Sequence, residues 1–504
     1  MTRRLRFVVL AVLAGAALAS IASASAATVR PLLASSPFTP LSGPSIPCLN
    51  GGIPCYVPQE IQQAYNFPSG PSAPNGAGQT IVVVAAYGAP FVGPDIQTFG
   101  GILGLPFPPN LTIVPQQTTI PAAHGSGQTY FWQVETDLDV EWAYAMAPRA
   151  HIVLAVANSD DTLDIAQVMH EVLPKYPGAI VTQSFGMDET GPASDPNLVG
   201  TFSPMYLDAL RHGGTVLAAS GDLGASNGTE LESMFFPELG VIPSAMAAYP
   251  ASDPLVLAVG GTEGNPYPDG LLSDAGSYGA EQAWNEISPS GQPGAGGGAP
   301  SAVFDAPPWQ RSLHTKNRLE PDVSYNAALV GGALVIVACR PNRADGGVTL
   351  DPRCVDPSRQ GYIAVGGTSA GTPQWAAIIA LANQVRMSQV KSPLGLVSPL
   401  LYELAKDRRA YARDFHDVTA GSNALDLRAF GAPAPSDFGF AAGPGYDLAT
   451  GLGTPNVANL LADLARRDSG EIPGNVGRGP RSDKDEHGDR GSHGHDHHDF
   501  DPSK

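Results

Sequence analysis

A chain of 504 residues can hold one large domain or several small ones, so length leaves the domain count open. Hydrophobic residues make up 43% and charged residues only 15%, which excludes a disordered scaffold for the bulk of the chain and suits a compact enzyme. The formal charge of −19 at pH 7 excludes nucleic acid as a partner, because a phosphate-binding surface needs an excess of Lys and Arg, and it favours acid tolerance, because protonating carboxylates relieves self-repulsion.

The chain opens on Arg3, Arg4 and Arg6, runs through apolar residues from Phe7 to Leu18, and reaches Ala24-Ser25-Ala26-Ala27. Basic, then apolar, then A-x-A is the order of a secretory signal cleaved near Ala26, and the apolar run is short for a membrane span. Residues 1–27 are expected to be removed, and the mature protein is expected to be secreted and free of the membrane. Four cysteines fall in two close couples, Cys48 with Cys55 and Cys339 with Cys354. In an oxidising compartment, pairing within each couple is expected, out of three connectivities.

A short N-terminal segment, 28–57, is rich in Pro and Ser. Beyond it, buried-strand runs alternate with helical patterns. The expected strands are Thr80–Ala86, His151–Ala157, Ala179–Phe185, Thr215–Ser220 and Leu255–Val259, with helices over Leu163–Leu173 and Met205–Arg211. Strands separated in this way give right-handed crossovers and an α/β fold, a mostly parallel central sheet with helices on both faces. Ligands are then expected beyond the carboxyl ends of the strands.

Between the first two strands stands Phe131-Trp132-Gln133-Val134-Glu135-Thr136-Asp137-Leu138-Asp139-Val140-Glu141-Trp142. On a helix, Phe131, Leu138, Trp142 and Met146 form one apolar face, with Glu135 inside it and Asp139 at its flank one turn on. Asp137 and Glu141 are also four apart but fall mostly away from that face, so burial is expected to single out Glu135 and Asp139. Carboxylates in an apolar face must be paired or neutralised, and two that share a proton are poised for acid–base work. A solvated acidic helix face has the same spacing.

Further on, Ala218-Ala219-Ser220-Gly221-Asp222-Leu223-Gly224 ends a strand in a Gly-rich turn, where an aspartate ordinarily bonds its own backbone. Gly294–Gly298 reads as a loop and Leu334–Ala338 as a strand. Tyr362–Val365 then leads through Gly366-Gly367-Thr368-Ser369-Ala370-Gly371-Thr372-Pro373 into an Ala-rich helix. A serine at that junction is expected to expose its hydroxyl beside free backbone N–H groups and the positive end of the helix dipole. A helix cap is its plain alternative.

Near the end of the fold, Phe415-His416-Asp417-Val418 is followed by Ala442-Gly443-Pro444-Gly445-Tyr446-Asp447. Two aspartates with glycine carbonyls between them supply hard oxygen ligands, which suit calcium better than zinc, although ordinary turns use the same residues. From about Arg467 the composition is that of a disordered tail, 467–504, whose histidines His487, His493, His495, His497 and His498 can bind a transition metal adventitiously.

Gly-Thr-Ser followed four residues on by Pro373 resembles the nucleophile motif shared by subtilisins and sedolisins. A subtilisin-like enzyme needs a histidine, typically in His-Gly-Thr-His; His124-Gly125-Ser126-Gly127 is the nearest run and lacks the second histidine. Sedolisins instead carry Glu and Asp four apart on one helix and an aspartate in a Ser-Gly-Asp-x-Gly turn. The chain resembles the sedolisin family from about Val57 to Leu464, with further support from Ala85-Ala86-Tyr87-Gly88, Tyr249-Pro250-Ala251-Ser252, Gly296-Gly297-Gly298 and Pro321-Asp322-Val323.

That resemblance implies a subtilisin-like peptidase domain over 58–466 and a secreted serine-carboxyl endopeptidase acting on protein or peptide substrates, expected as a monomer. It makes Ser369 the nucleophile, Glu135 its general base, Asp139 the residue that orients Glu135, and Asp222 the oxyanion donor. It places one structural Ca2+ on Asp417, Val418, Gly443, Gly445 and Asp447. Because a carboxyl group donates only when protonated, an Asp222 donor implies activity below neutrality. Three departures stand out: no long pro-domain separates the signal from the catalytic domain, Phe185 stands where some relatives have tryptophan, and Ala299-Pro300 follows the triple glycine. The competing readings are a non-catalytic secreted binding protein on a peptidase scaffold and a neutral hydrolase that uses His124.

Overall fold

The computed structural model describes residues 28–32, 55–89, 91–106, 109–115, 128–265, 278–288, 291–330, 333–339 and 360–468, with shorter pieces at 34–35, 39–40, 341–344 and 347–350 and residue 470. The expected signal, His124, the distal tail and Cys48 and Cys354 lie outside the described residues. Among the described residues, no helix is long and apolar enough to cross a membrane.

The central sheet has eight strands: Thr80–Ala86 (β1), Leu111–Val114 (β2), His151–Ala157 (β3), Ile180–Gln183 (β4), Thr215–Ala219 (β5), Leu257–Asn265 (β6), Ala280–Ala283 (β7) and Val323–Asn326 (β8). Their order is β7-β6-β5-β4-β1-β3-β2, with β8 also paired to β6, and every pairing is parallel except that of β7. The near-continuous apolar runs are explained by burial on both faces: Ile81 to Ala86 are all buried, as are Ile152 to Ala157. The architecture expected from the sequence is therefore present, with small changes of boundary: the run ending at Phe185 splits into β4 and a separate strand Phe185–Asp188, and the helix expected over Met205–Arg211 extends over Pro196–Arg211.

The strand before Ser369 belongs to a different sheet. Gln360–Gly366 pairs antiparallel with Ala333–Cys339, and this hairpin lies beside the helix Val92–Leu103 and the acidic helix Gln128–Met146. Gly294–Gly298, expected as loop, contains a short strand Pro293–Ala295 paired with Asn285–Ile287. Gly297 shows why no side chain fits there: a Cβ would lie 2.0 Å from the Ser220 carbonyl oxygen, and the backbones of Gly297 and Gly221 are joined by a 2.7 Å hydrogen bond. This close approach fixes the turn that carries Asp222.

Candidate active site

Gln128–Met146 forms one helix that packs on the helix Thr368–Ser388, on β1, and on the Ala333–Cys339 strand. Glu135 and Asp139 are buried, as expected, on the side facing Ser369. The expectation that burial would separate them from Asp137 and Glu141 is overturned, because those two are just as deeply buried. The helix is enclosed by protein on several sides, so amphipathic reasoning fails for it. Phe131, assigned to the apolar face, is instead 36% exposed, while its neighbour Trp132 is fully buried beside Phe185 at a ring separation of 5.9 Å.

The two acidic pairs have different surroundings. Glu141 Oε2 accepts the Val337 N–H at 2.9 Å, and Asp137 lies near Asp95, whose Oδ1 accepts the Gln360 amide at 2.6 Å. Asp139 Oδ1 instead accepts the Ser184 hydroxyl at 2.6 Å. Both Glu135 oxygens lack a hydrogen-bond partner of good geometry, although the Ser369 hydroxyl is near enough to favour ionisation. Burial pushes the Glu135 proton affinity up, and the adjacent Asp139 charge pushes it further, with Asp222 adding to the effect. Asp139 is likewise raised by burial and held back by the Ser184 hydroxyl. Burial and the neighbouring charge thus make joint ionisation of the two carboxyls unfavourable.

Ser369 is the second residue of its helix, entered through Gly367 at φ +106°, a conformation that favours glycine. Its hydroxyl donates to the Ser184 carbonyl at 3.2 Å. Contrary to the expectation of exposure, Ser369 is fully buried: Leu32, from the N-terminal segment, lies over it, and the Ser369 backbone N–H donates to the Leu32 carbonyl oxygen at 3.2 Å.

Asp222 follows β5 and reaches the start of the serine helix. Its Oδ1 accepts the Thr368 N–H at 2.9 Å and the Thr368 hydroxyl at 2.8 Å, while Oδ2 is buried without a partner. Burial, partly offset by the Thr368 bonds and then by Arg30, pushes its pKa up to about 7. Ser369 N–H and a protonated Asp222 Oδ2 can therefore receive negative charge on one oxygen.

Asp417 and Asp447 come together through the loop between them. The Gly445 N–H donates to both Asp417 carboxylate oxygens at 3.1 Å, and the Gly443 N–H donates to Asp447 Oδ2 at 2.9 Å. Tyr411 donates to Asp417 Oδ1 at 2.9 Å, and both aspartate charges raise the affinity of that phenol for its proton after burial has done so. The two carboxylates thus share one glycine loop and offer hard oxygen donors of the kind calcium takes. Cys55 is disulfide-bonded.

Sequence reasoning gave no role to Ser184, Thr368 or Leu32. The first two adjoin residues that it did single out: Thr368 precedes Ser369 and Ser184 precedes Phe185. Leu32 carried no signal beyond its place in a Pro/Ser-rich stretch.

No family model matches the chain. The chain is 31% identical over 422 residues to kumamolisin of Bacillus sp. (strain MN-32), covering 81% of this chain and 63% of that protein. It is 30% identical over 343 residues to tripeptidyl-peptidase 1 of Mus musculus, covering 66% and 52%, and 24% identical over 411 residues to sedolisin of Pseudomonas sp. (strain 101), covering 80% and 60%. The chain thus spans less than two thirds of the length of these curated relatives. Among solved structures, Pseudomonas sedolisin, described as a serine-carboxyl proteinase complexed with pseudo-iodotyrostatin, superposes with a TM-score of 0.61 at 23% identity over 82% of this chain and 99% of that one. With the Glu135–Asp139 helix, the Asp222 turn and Ser369 assembled at one site, the chain belongs to the sedolisin family.

Proposed function

We propose that this chain is a secreted serine-carboxyl endopeptidase that hydrolyses protein or peptide substrates at acidic pH. The observation that carries the reading is the convergence of Ser369, the Glu135–Asp139 pair and the partnerless Asp222 Oδ2 beyond the strand ends. In this mechanism Glu135 takes the Ser369 proton as Oγ adds to the substrate carbonyl carbon. Asp139, held by Ser184, keeps Glu135 in place and shares its proton. The developing oxyanion is stabilised by the Ser369 N–H and the protonated Asp222 carboxyl. Collapse expels the amine, which takes the proton from Glu135, and water then hydrolyses the acyl-enzyme by the same route.

Asp222 is the acid limb's counterpart: it must keep its proton, so activity is lost as pH rises through about 7. All four catalytic positions hold a group able to perform its assigned role, which weighs against a non-catalytic binding protein. We also propose one structural Ca2+ on Asp417, Val418, Gly443, Gly445 and Asp447, tying the loop rather than taking part in chemistry, and disulfides Cys48–Cys55 and Cys339–Cys354. The test is hydrolysis of an unfolded protein by the purified chain from about pH 3 to about pH 9. Activity should peak below neutrality and vanish in Ser369→Ala; acidic hydrolysis unchanged in that variant would sink the proposal.

A further inference from the structure

Asp222, the proposed oxyanion donor, stands in a turn with Gly221 before it and Gly224 after it, and glycines leave a backbone free to move unless its surroundings fix it. Thr368 holds Oδ1, so the direction of Oδ2 depends on where the backbone of residues 221–225 lies. Three bonds from neighbouring segments hold that backbone. The Ala295 N–H donates to the Asp222 carbonyl at 3.1 Å, and the Gly297 N–H donates to the Gly221 carbonyl at 2.7 Å. On the far side, the Ala225 N–H donates to the Asn423 carbonyl at 3.2 Å. That carbonyl approaches so closely that a Cβ on Gly224, itself at φ +65°, would lie 2.6 Å from its oxygen.

Asn423 also grips the run that supplies the other two bonds. Its Nδ2 donates to the Gly298 carbonyl at 3.2 Å and to the Leu448 carbonyl at 3.3 Å, and its Oδ1 accepts the Phe440 N–H at 2.7 Å. Its backbone N–H donates to the Phe440 carbonyl at 3.2 Å. The residue is fully buried, and one flat carboxamide supplies the two donors and the acceptor that these three backbone groups require. A buried polar network whose members are all satisfied rigidifies what it touches. Asn285 fixes residue 423 in turn: its Nδ2 donates to the carbonyls of Ser422, at 3.1 Å, and Ala424, at 2.6 Å, on either side of it.

We infer that Asn423 is a positioning residue for the oxyanion site: it grips the Asp222 turn directly at Ala225 and indirectly through Gly298, and so sets where Asp222 Oδ2 stands relative to Ser369. The inference rests on the peptidase reading above. Asn423 acts on the reaction only through Asp222. A donor displaced by about 1 Å from the place where the oxyanion forms loses much of its stabilising effect, while binding of the substrate in its ground state is left intact. The loss therefore falls on kcat rather than on KM.

The test is a double-variant cycle on the full chain at about pH 4, with kcat and KM read separately on a quenched fluorogenic peptide and folding followed by circular dichroism. Asn423→Ala should lower kcat by between about tenfold and about a hundredfold while KM changes less than about threefold. In an Asp222→Ala background the same substitution should lower kcat by less than about twofold, because the group that Asn423 positions is already gone. Asn423→Asp keeps the Oδ1 acceptor and, as the acid, one donation, so its kcat should fall between those of the wild type and Asn423→Ala. Asn285→Ala leaves the Asn423 side chain in place and should lower kcat by a smaller factor, again only when Asp222 is present; it supplies the same cycle should Asn423→Ala not fold. Losses that multiply in full in both backgrounds overturn the inference, because the asparagine then acts on something other than Asp222, and they leave the peptidase reading standing. A folded Asn423→Ala enzyme with the kcat of the wild type does the same. A wild type inactive toward every peptide removes the peptidase reading and this inference with it.

Discussion

Replacing Asp222 by Asn separates the oxyanion donor from its titration. Oδ1 of Asp222 accepts two bonds from Thr368, at 2.9 and 2.8 Å, and an asparagine Oδ1 can accept the same two. The amide nitrogen then stands where the partnerless Oδ2 stands now, a donor at every pH. In the wild type the donor exists only in the protonated acid. With the pKa pushed up to about 7, the protonated fraction falls tenfold for each further pH unit, so about 1% of the maximal kcat/KM remains at about pH 9. Asp222→Asn should lose this alkaline limb and exceed the wild type there, while falling short by less than about tenfold at its acidic optimum. Asp222→Ala, with no donor, should lose about 10²–10³-fold at every pH. The assay is kcat/KM on a quenched fluorogenic peptide, with circular dichroism at each pH to show that the chain is folded. An Asn variant with the wild-type alkaline limb would refute the assignment.

Three further outcomes are expected. Glu141 is raised by burial, then by Asp137, so the stability it permits is full below the unfolded carboxyl value and is lost as pH rises through its folded one; Glu141→Gln should therefore melt higher than wild type at about pH 7 and differ little at about pH 3, and equal shifts at both would count against it. Ser184→Ala removes the 2.6 Å bond that favours ionised Asp139, so the acid limb of kcat/KM should move up by about one pH unit, and an unmoved limb would show that Ser184 does not act through the pair. Chelation of calcium should lower the melting temperature by a few degrees in the wild type and have no effect in Asp447→Asn; a chelator-insensitive wild type would remove the metal proposal.

Much of this was legible in the sequence because the signals were local. β1 and β3 are continuous apolar runs of a doubly covered sheet, and a reader needs only a window of seven residues to find them. Ser369 stands in a motif in which glycine conformation, helix start and the proposed nucleophile coincide within a few positions. The acidic helix was harder. Its four acidic residues, Glu135, Asp137, Asp139 and Glu141, are all buried, so hydrophobic periodicity had no solvent face to detect. What distinguishes Glu135 is that the Thr368–Ser388 helix packs on this helix, a contact between segments more than two hundred residues apart.

The same distance explains why Leu32 was invisible. Residue 32 meets Ser184 and Ser369 through four backbone groups whose hydrogen-bonding capacity is independent of side-chain identity. Backbone recognition of this kind leaves no motif, since any residue but proline could donate the N–H. The trace it leaves is nearby, where the cation of Arg30 meets Asp188 and Glu232. Glu232 is itself pushed up to about 7 by burial, then by Asp188, and held back by Arg30. Loss of Arg30 would leave two acids facing each other in a half-buried pocket, a repulsion that the cation relieves. The acidity of the pocket is therefore a reason for the Arg30 cation to be held there, and most strongly when both acids are ionised.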